Sequence, residues 1–130
     1  MAEYGGDSGM HDLHGHAIVP GYIDAHTHLL WAGDRTREVR MRQNGMTYSQ
    51  IADAGGGIRY TVAQTRRSDN LLEIGRSRMQ TAVGHGTTAI EVKSGYGLDT
   101  ESELKLLQLY SELQQESEQL RMSLTWMGAH

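Results

Sequence analysis

Two histidines one residue apart, His26 and His28, close the run Pro20-Gly21-Tyr22-Ile23-Asp24-Ala25-His26-Thr27-His28. On a strand, residues i and i+2 project from one face several ångströms apart, so two imidazoles there can bind one divalent cation. Imidazole suits zinc, iron or nickel. Its neutral form, which ligation requires, is accessible near pH 7. At the C-terminal end of a barrel strand such a pair would face the usual place of chemistry. The spacing alone is a weak signal. His14-Gly15-His16 repeats it in a polar stretch with no strand pattern except the short run Ala17–Val19. Two hydrogen-bonded core histidines would show it as well.

The elements that must position these residues follow from pattern. Tyr22 to His28 predicts a strand with Ile23, Ala25 and Thr27 on one face and Asp24, His26 and His28 on the other. Leu29 to Arg42 is Arg-rich and predicts irregular chain. Thr47 predicts the start of a short helix that Gly55-Gly56-Gly57 ends, and Ile58 to Arg67 a second. Asp69 is the expected cap of a longer helix to about Val83, striped by Leu72, Gly75, Met79, Ala82 and Val83. Thr87 to Ser94 predicts a strand. Thr100-Glu101-Ser102-Glu103 has the form of a capping box and opens a helix to about Glu118, with Leu106, Leu107, Tyr110 and Leu113 on one face. Ser123 to Ala129 predicts a third strand. Strand, helix, strand favours parallel strands. Glu91 and Lys93 share one face of the second strand. That fits equally a barrel strand with a polar interior and an edge strand with a solvated face. Lys93 is expected to pair with Glu91 rather than act as a catalytic lysine. Gly55–Gly57 lacks the continuation of a phosphate loop and predicts a turn where backbone comes close to the site. His85 is expected at a helix end, where the dipole favours it.

Bulk properties narrow the class. The 130 residues suit one domain and supply about half of a (β/α)₈ barrel, which needs ~250. The net charge is −4 with no basic block, which argues against nucleic acid as a partner. Cysteine is absent, excluding disulfides and thiolate metal sites. No apolar run approaches the ~18 residues of a membrane span, and the first residues have no signal-peptide core. A soluble cytoplasmic protein is expected. Residues 1–11 are small, polar and Gly-rich and predict a ragged start. Histidine is abundant, with seven in the chain.

Pro-Gly, an apolar residue, Asp and then H-x-H resembles the opening signature of the amidohydrolase superfamily. Further motifs narrow the likeness. His26-Thr27-His28-Leu29 followed by Ala32-Gly33-Asp34-Arg35 is similar to the imidazolonepropionase family. So are Gly55-Gly56-Gly57-Ile58, Gly86-Thr87-Thr88 and Glu91-Val92-Lys93-Ser94-Gly95-Tyr96-Gly97-Leu98. Glu103-Leu104-Lys105 and Met127-Gly128-Ala129-His130 complete a match running in order from about Asp12 to the last residue.

The resemblance implies an α/β fold, a partial TIM-like (β/α)₈ metal-dependent hydrolase barrel comprising its first ~3 strands with their helices. Residues 17–130 would be the first part of that barrel, and residues 1–16 the remnant of an N-terminal segment or small β-domain. It implies hydrolysis of the cyclic amide of 4-imidazolone-5-propanoate to N-formimidoyl-L-glutamate in histidine degradation, with one Zn²⁺ or Fe³⁺ ion. His26 and His28 would be metal ligands, and Arg35, Tyr96 and His130 substrate-binding residues. A guanidinium can grip the propanoate carboxylate bidentately. A homodimer is the expected parent assembly, with no nucleic acid and no membrane. Family members are much longer, so the chain is expected to be a truncated piece. A catalytic zinc site normally has three protein ligands, and the motif offers two. No catalytic residue is assigned within the chain. Plainer roles stand beside each residue: Arg35 in a solvated basic loop with Arg37, Arg40 and Arg42, Tyr96 in a simple turn, His130 as an ordinary last residue. Another cyclic amidohydrolase or deaminase, or a non-catalytic metal-binding fragment, remain the alternative readings.

Overall fold

The computed structural model describes residues 12–128; the expectations for residues 1–11, Ala129 and His130 lie outside them. The elements run β1 (Tyr22–Thr27), α1 (Thr36–Gln43), α2 (Tyr48–Asp53), α3 (Ile58–Arg67), α4 (Leu71–Gly84), β2 (Thr87–Lys93), α5 (Thr100–Glu116) and β3 (Arg121–Thr125). The fold is α/β. The strands form one sheet in the order β1-β2-β3, every pair parallel, as strand–helix–strand connectivity requires. Among the described residues no helix is long and apolar enough to cross a membrane.

Burial divides the sheet into two faces. Ile90 and Val92 of β2 and Met122 of β3 join Met79 of α4 and Leu106, Tyr110 and Leu113 of α5 in the core. Gly75 allows α4 to approach closely, because a Cβ there would stand 2.6 Å from Leu113 Cδ1 and 2.8 Å from Leu30 Cδ2. On the opposite face Glu91 pairs in register with Ser123, and Lys93 with Thr125. The Lys93 ammonium meets the Glu91 carboxylate, as expected, and the Thr125 hydroxyl donates to the same carboxylate at 2.6 Å. β2 is the central strand, so its charges do not mark a solvated edge. They belong to a polar sheet face whose groups satisfy one another.

Several boundaries differ from expectation. The segment expected to be irregular contains α1. Asp34 starts it by accepting the Thr36 amide at 2.6 Å, and Arg40 and Arg42 lie in the last turn, where cations favour the dipole. The only buried residue of α1 is Glu38, so no apolar stripe announces it. The residue preceding α4 is Asn70 rather than Asp69. The α5 cap is Asp99, which accepts the Ser102 amide at 2.7 Å, and Thr100 is already helical. β3 begins two residues earlier than expected and ends at Thr125. The cap of α2 is Thr47, reciprocated by Gln50, and α3 keeps its expected limits.

The parity of β1 needs correction. Asp24 pairs with Ile90 but Thr27 with Val92, so β1 spends one extra residue between them, a bulge. Asp24 and Thr27 therefore share the core-facing side with Ile90 and Val92, and the Thr27 hydroxyl donates to the Asp24 carboxylate. The same carboxylate accepts the His26 amide at 3.1 Å. Asp24 braces the bulge and does not stand with His26 and His28 as the uninterrupted alternation predicted.

Candidate functional site

On either side of Thr27, His26 and His28 alternate away from it onto the polar face. Their rings meet edge to face with centroids 5.5 Å apart. His26 acts electrostatically on Glu91, whose carboxyl is held below its ordinary range by Lys93 first and then by the Thr125 hydroxyl. His28 is half-buried and makes an edge contact with Tyr96, centroid to centroid 5.1 Å. Tyr96 in turn stacks on Trp31 at 6.3 Å. Trp31 is fixed by α4: the Arg78 guanidinium lies 3.9 Å from its ring centroid and donates to the carbonyls of Leu29 at 2.5 Å and Trp31 at 3.0 Å. Burial lowers the Arg78 pKa. It remains charged nonetheless, since a guanidinium does not deprotonate in proteins.

Tyr96 owes its placement to a buried carboxylate. Glu103, 3% exposed, accepts the amides of Gly95 (2.9 Å), Gly97 (2.7 Å) and Leu98 (2.9 Å). The loop therefore curls around one anion, with Leu98 in the left-handed region at φ 55°. Gly97 is required by close approach: a Cβ would lie 2.7 Å from the Glu103 nitrogen. From α3, Arg66 donates to the Gly97 carbonyl at 2.6 Å and pairs with Asp99 at 2.9 Å. Tyr96 is not a residue of a simple exposed turn.

Arg35 precedes α1 and is not a solvated loop cation. Its Nε donates to Glu38 Oε1 at 2.8 Å and its Nη2 to Oε2 at 2.6 Å. Glu38, 6% exposed, also accepts the Gly57 amide at 2.7 Å. The glycine turn thus comes close to the site through this carboxylate. Arg35 holds the Glu38 pKa down at about 2, with the Gly57 amide adding to the effect, and Glu38 in return raises that of Arg35. Arg35 lies close enough to Tyr96 and Tyr48 to interact electrostatically with both. A cleft of about 50 Å³ opens beside the pair, lined by Asp34, Arg35, Glu38, Gly55, Gly56 and Tyr60.

The structure thus gathers His26, His28, Tyr96 and Arg35 around the ends of β1 and β2; His130 lies outside the described residues. His14 and His16 do not join them. They sit exposed in a local turn, His14 beside Asp12 and His16 on the Leu13 carbonyl. His85 is the C-cap of α4, its ring against the Thr81 carbonyl. The donor types at His26 and His28 fit an imidazole-ligated divalent ion, but not its usual number of ligands. Among the described residues no third His, Cys, Asp or Glu completes a metal cluster. Sequence reasoning missed Glu38 and Glu103. Each is a glutamate in the first turn of a helix near a Gly-rich stretch, and that pairing is the signal that could have found them.

No family model matches the chain. Among curated proteins it is similar to imidazolonepropionases. That of Shewanella frigidimarina is 50% identical over 115 residues, covering 87% of this chain and 28% of that protein. That of Paracoccus denitrificans is 44% identical over 126 residues, covering 95% of this chain and 31% of that protein. That of Shewanella putrefaciens is 48% identical over 115 residues. The chain is a homologue of the imidazolonepropionases, alike over most of its own length and spanning less than a third of theirs.

Proposed function

We propose that this chain supplies a metal-binding and substrate-gripping part of a (β/α)₈ barrel enzyme acting in the cytoplasm. The reaction is hydrolysis of the ring amide of 4-imidazolone-5-propanoate to N-formimidoyl-L-glutamate, a step of histidine degradation. Water adds to the ring carbonyl carbon, the C–N bond breaks, one proton of the water goes to the departing nitrogen, the other is released, and the carbonyl carbon becomes a carboxylate. The observation that carries this reading is the gathering of His26, His28, Tyr96 and Arg35 in a chain homologous to imidazolonepropionases.

His26 and His28 would hold a zinc or iron ion, which supplies Lewis acidity toward a carbonyl and a more acidic water. Arg35 binds the propanoate carboxylate, Tyr96 offers its hydroxyl to a polar ring atom, and His130 contacts the ring. Lys93 and Glu91 neutralise each other beneath this site, so neither serves as its base. The test is a chimera in which this chain replaces the matching segment of the Shewanella frigidimarina protein. Turnover of 4-imidazolone-5-propanoate is expected, with loss of metal and activity in His28→Ala. A folded, metal-loaded chimera without turnover refutes the reading.

A further inference from the structure

Arg35 carries five N–H donors. Glu38 engages two of them, Nε and one on Nη2, along the side edge of the guanidinium plane. Among the described residues no hydrogen bond from Nη1 accompanies these. The end edge, with one N–H on each terminal nitrogen, therefore remains for a ligand and matches a carboxylate's spacing. Glu38 is itself immobilised, being buried and held by the Gly57 amide. The carboxylate thus joins the glycine turn to the arginine.

We infer that Glu38 is a positioning residue, fixing the Arg35 guanidinium so that its end edge receives the carboxylate of the ligand. The inference rests on the proposed role of Arg35 as the propanoate grip. A freely rotating arginine would lose side-chain entropy on every binding event; here Glu38 restrains it in advance. The design runs against simple Coulomb attraction, because a carboxylate beside the arginine repels a second one. The two effects therefore predict opposite outcomes when Glu38 is changed.

The experiment titrates the chain by NMR with 3-(imidazol-4-yl)propanoate and with its neutral amide. The unmodified chain is expected to prefer the carboxylate. Glu38→Gln removes a neighbouring negative charge but keeps an acceptor for Gly57. Positioning predicts that the preference falls by about 10- to 100-fold, the weight of one charge-assisted hydrogen bond. Glu38→Asp retains the charge but withdraws it by one methylene, and is expected to weaken the preference as well. An equal or stronger preference in Glu38→Gln overturns the inference. Equal binding of both probes by the unmodified chain, or a preference that survives Arg35→Gln, overturns instead the reading of Arg35 on which the inference rests. A second readout needs no variant. In the unmodified chain the Arg35 Nε–H resonance should exchange slowly with solvent and stay in place as the carboxylate is added. Movement or opening of that proton shows the ligand taking the edge assigned to Glu38 and overturns the inference.

Discussion

Replacing Tyr110 by phenylalanine removes one oxygen from the middle of the core. That oxygen accepts the Leu29 amide at 3.0 Å and the Leu30 amide at 3.1 Å, and donates to the Lys93 carbonyl at 3.1 Å. A hydroxyl has one donor and two acceptor sites, so its capacity is full. Tyr110, Leu29 and Leu30 are 0%, 3% and 1% exposed, so water cannot substitute. Burial raises the Tyr110 pKa to about 12, so the hydroxyl stays protonated and keeps its donor. The ring and its packing survive the substitution, so little cavity cost is added. Each buried donor left unmet costs roughly 1–3 kcal/mol, and two with partial relaxation give a loss of about 2–4 kcal/mol. Urea unfolding followed by near-UV dichroism reads the loss. Tyr22→Phe, at a ring 67% exposed, is the control and should stay within about 0.5 kcal/mol. Amide exchange at Leu29 and Leu30 should accelerate. A loss below about 1 kcal/mol with unchanged exchange at both amides would refute the assignment of this hydroxyl as their acceptor.

Glu103→Gln should raise amide exchange at Gly95, Gly97 and Leu98 together and destabilise by roughly 1.5–3 kcal/mol, the worth of hydrogen bonds to a charged group; exchange confined to one amide would speak against a shared anion. Acid should weaken the Arg35–Glu38–Gly57 junction in a defined window. The Glu38 pKa lies at about 2 against an ordinary 4.5, so the unfolded chain binds more protons between these values and stability rises with pH there. This contribution is complete above about 4.5 and disappears as pH falls toward about 2. Urea midpoints across that range should therefore fall more steeply for the unmodified chain than for Glu38→Gln.

Most of the architecture was legible in the sequence because its signals are local. The apolar stripe of α4 and α5, the β-branched run of β2 and the Thr47 cap each act within a few residues. Helix α1 was not legible, since its Arg-rich surface buries only Glu38 and its start depends on Asp34. The bulge in β1 was hidden for a different reason. Strict alternation put Asp24 beside the histidines, and only pairing with β2 reveals the extra residue. Within the site, the histidine pair showed in its spacing, whereas Arg35 and Tyr96 were picked out only through the family resemblance. The glutamates that hold Arg35 and Tyr96 were passed over, because a carboxylate that gathers backbone amides looks in sequence like any helical surface glutamate, and only a neighbouring Gly-rich stretch sets it apart.

The two carboxylate junctions also bear on the order in which the chain acquires its shape. Arg35 and Glu38 are three residues apart, and Glu103 reaches amides five to eight residues away. Closing such short loops costs little chain entropy, so these corners can form early, as soon as their own segments exist. Tyr110 spans 80 and 81 residues to reach Leu30 and Leu29, and its bonds require α5 to be docked on the sheet. The arginine and tyrosine loops can thus be shaped locally and early, whereas the tie from α5 to the segment after His28 closes late.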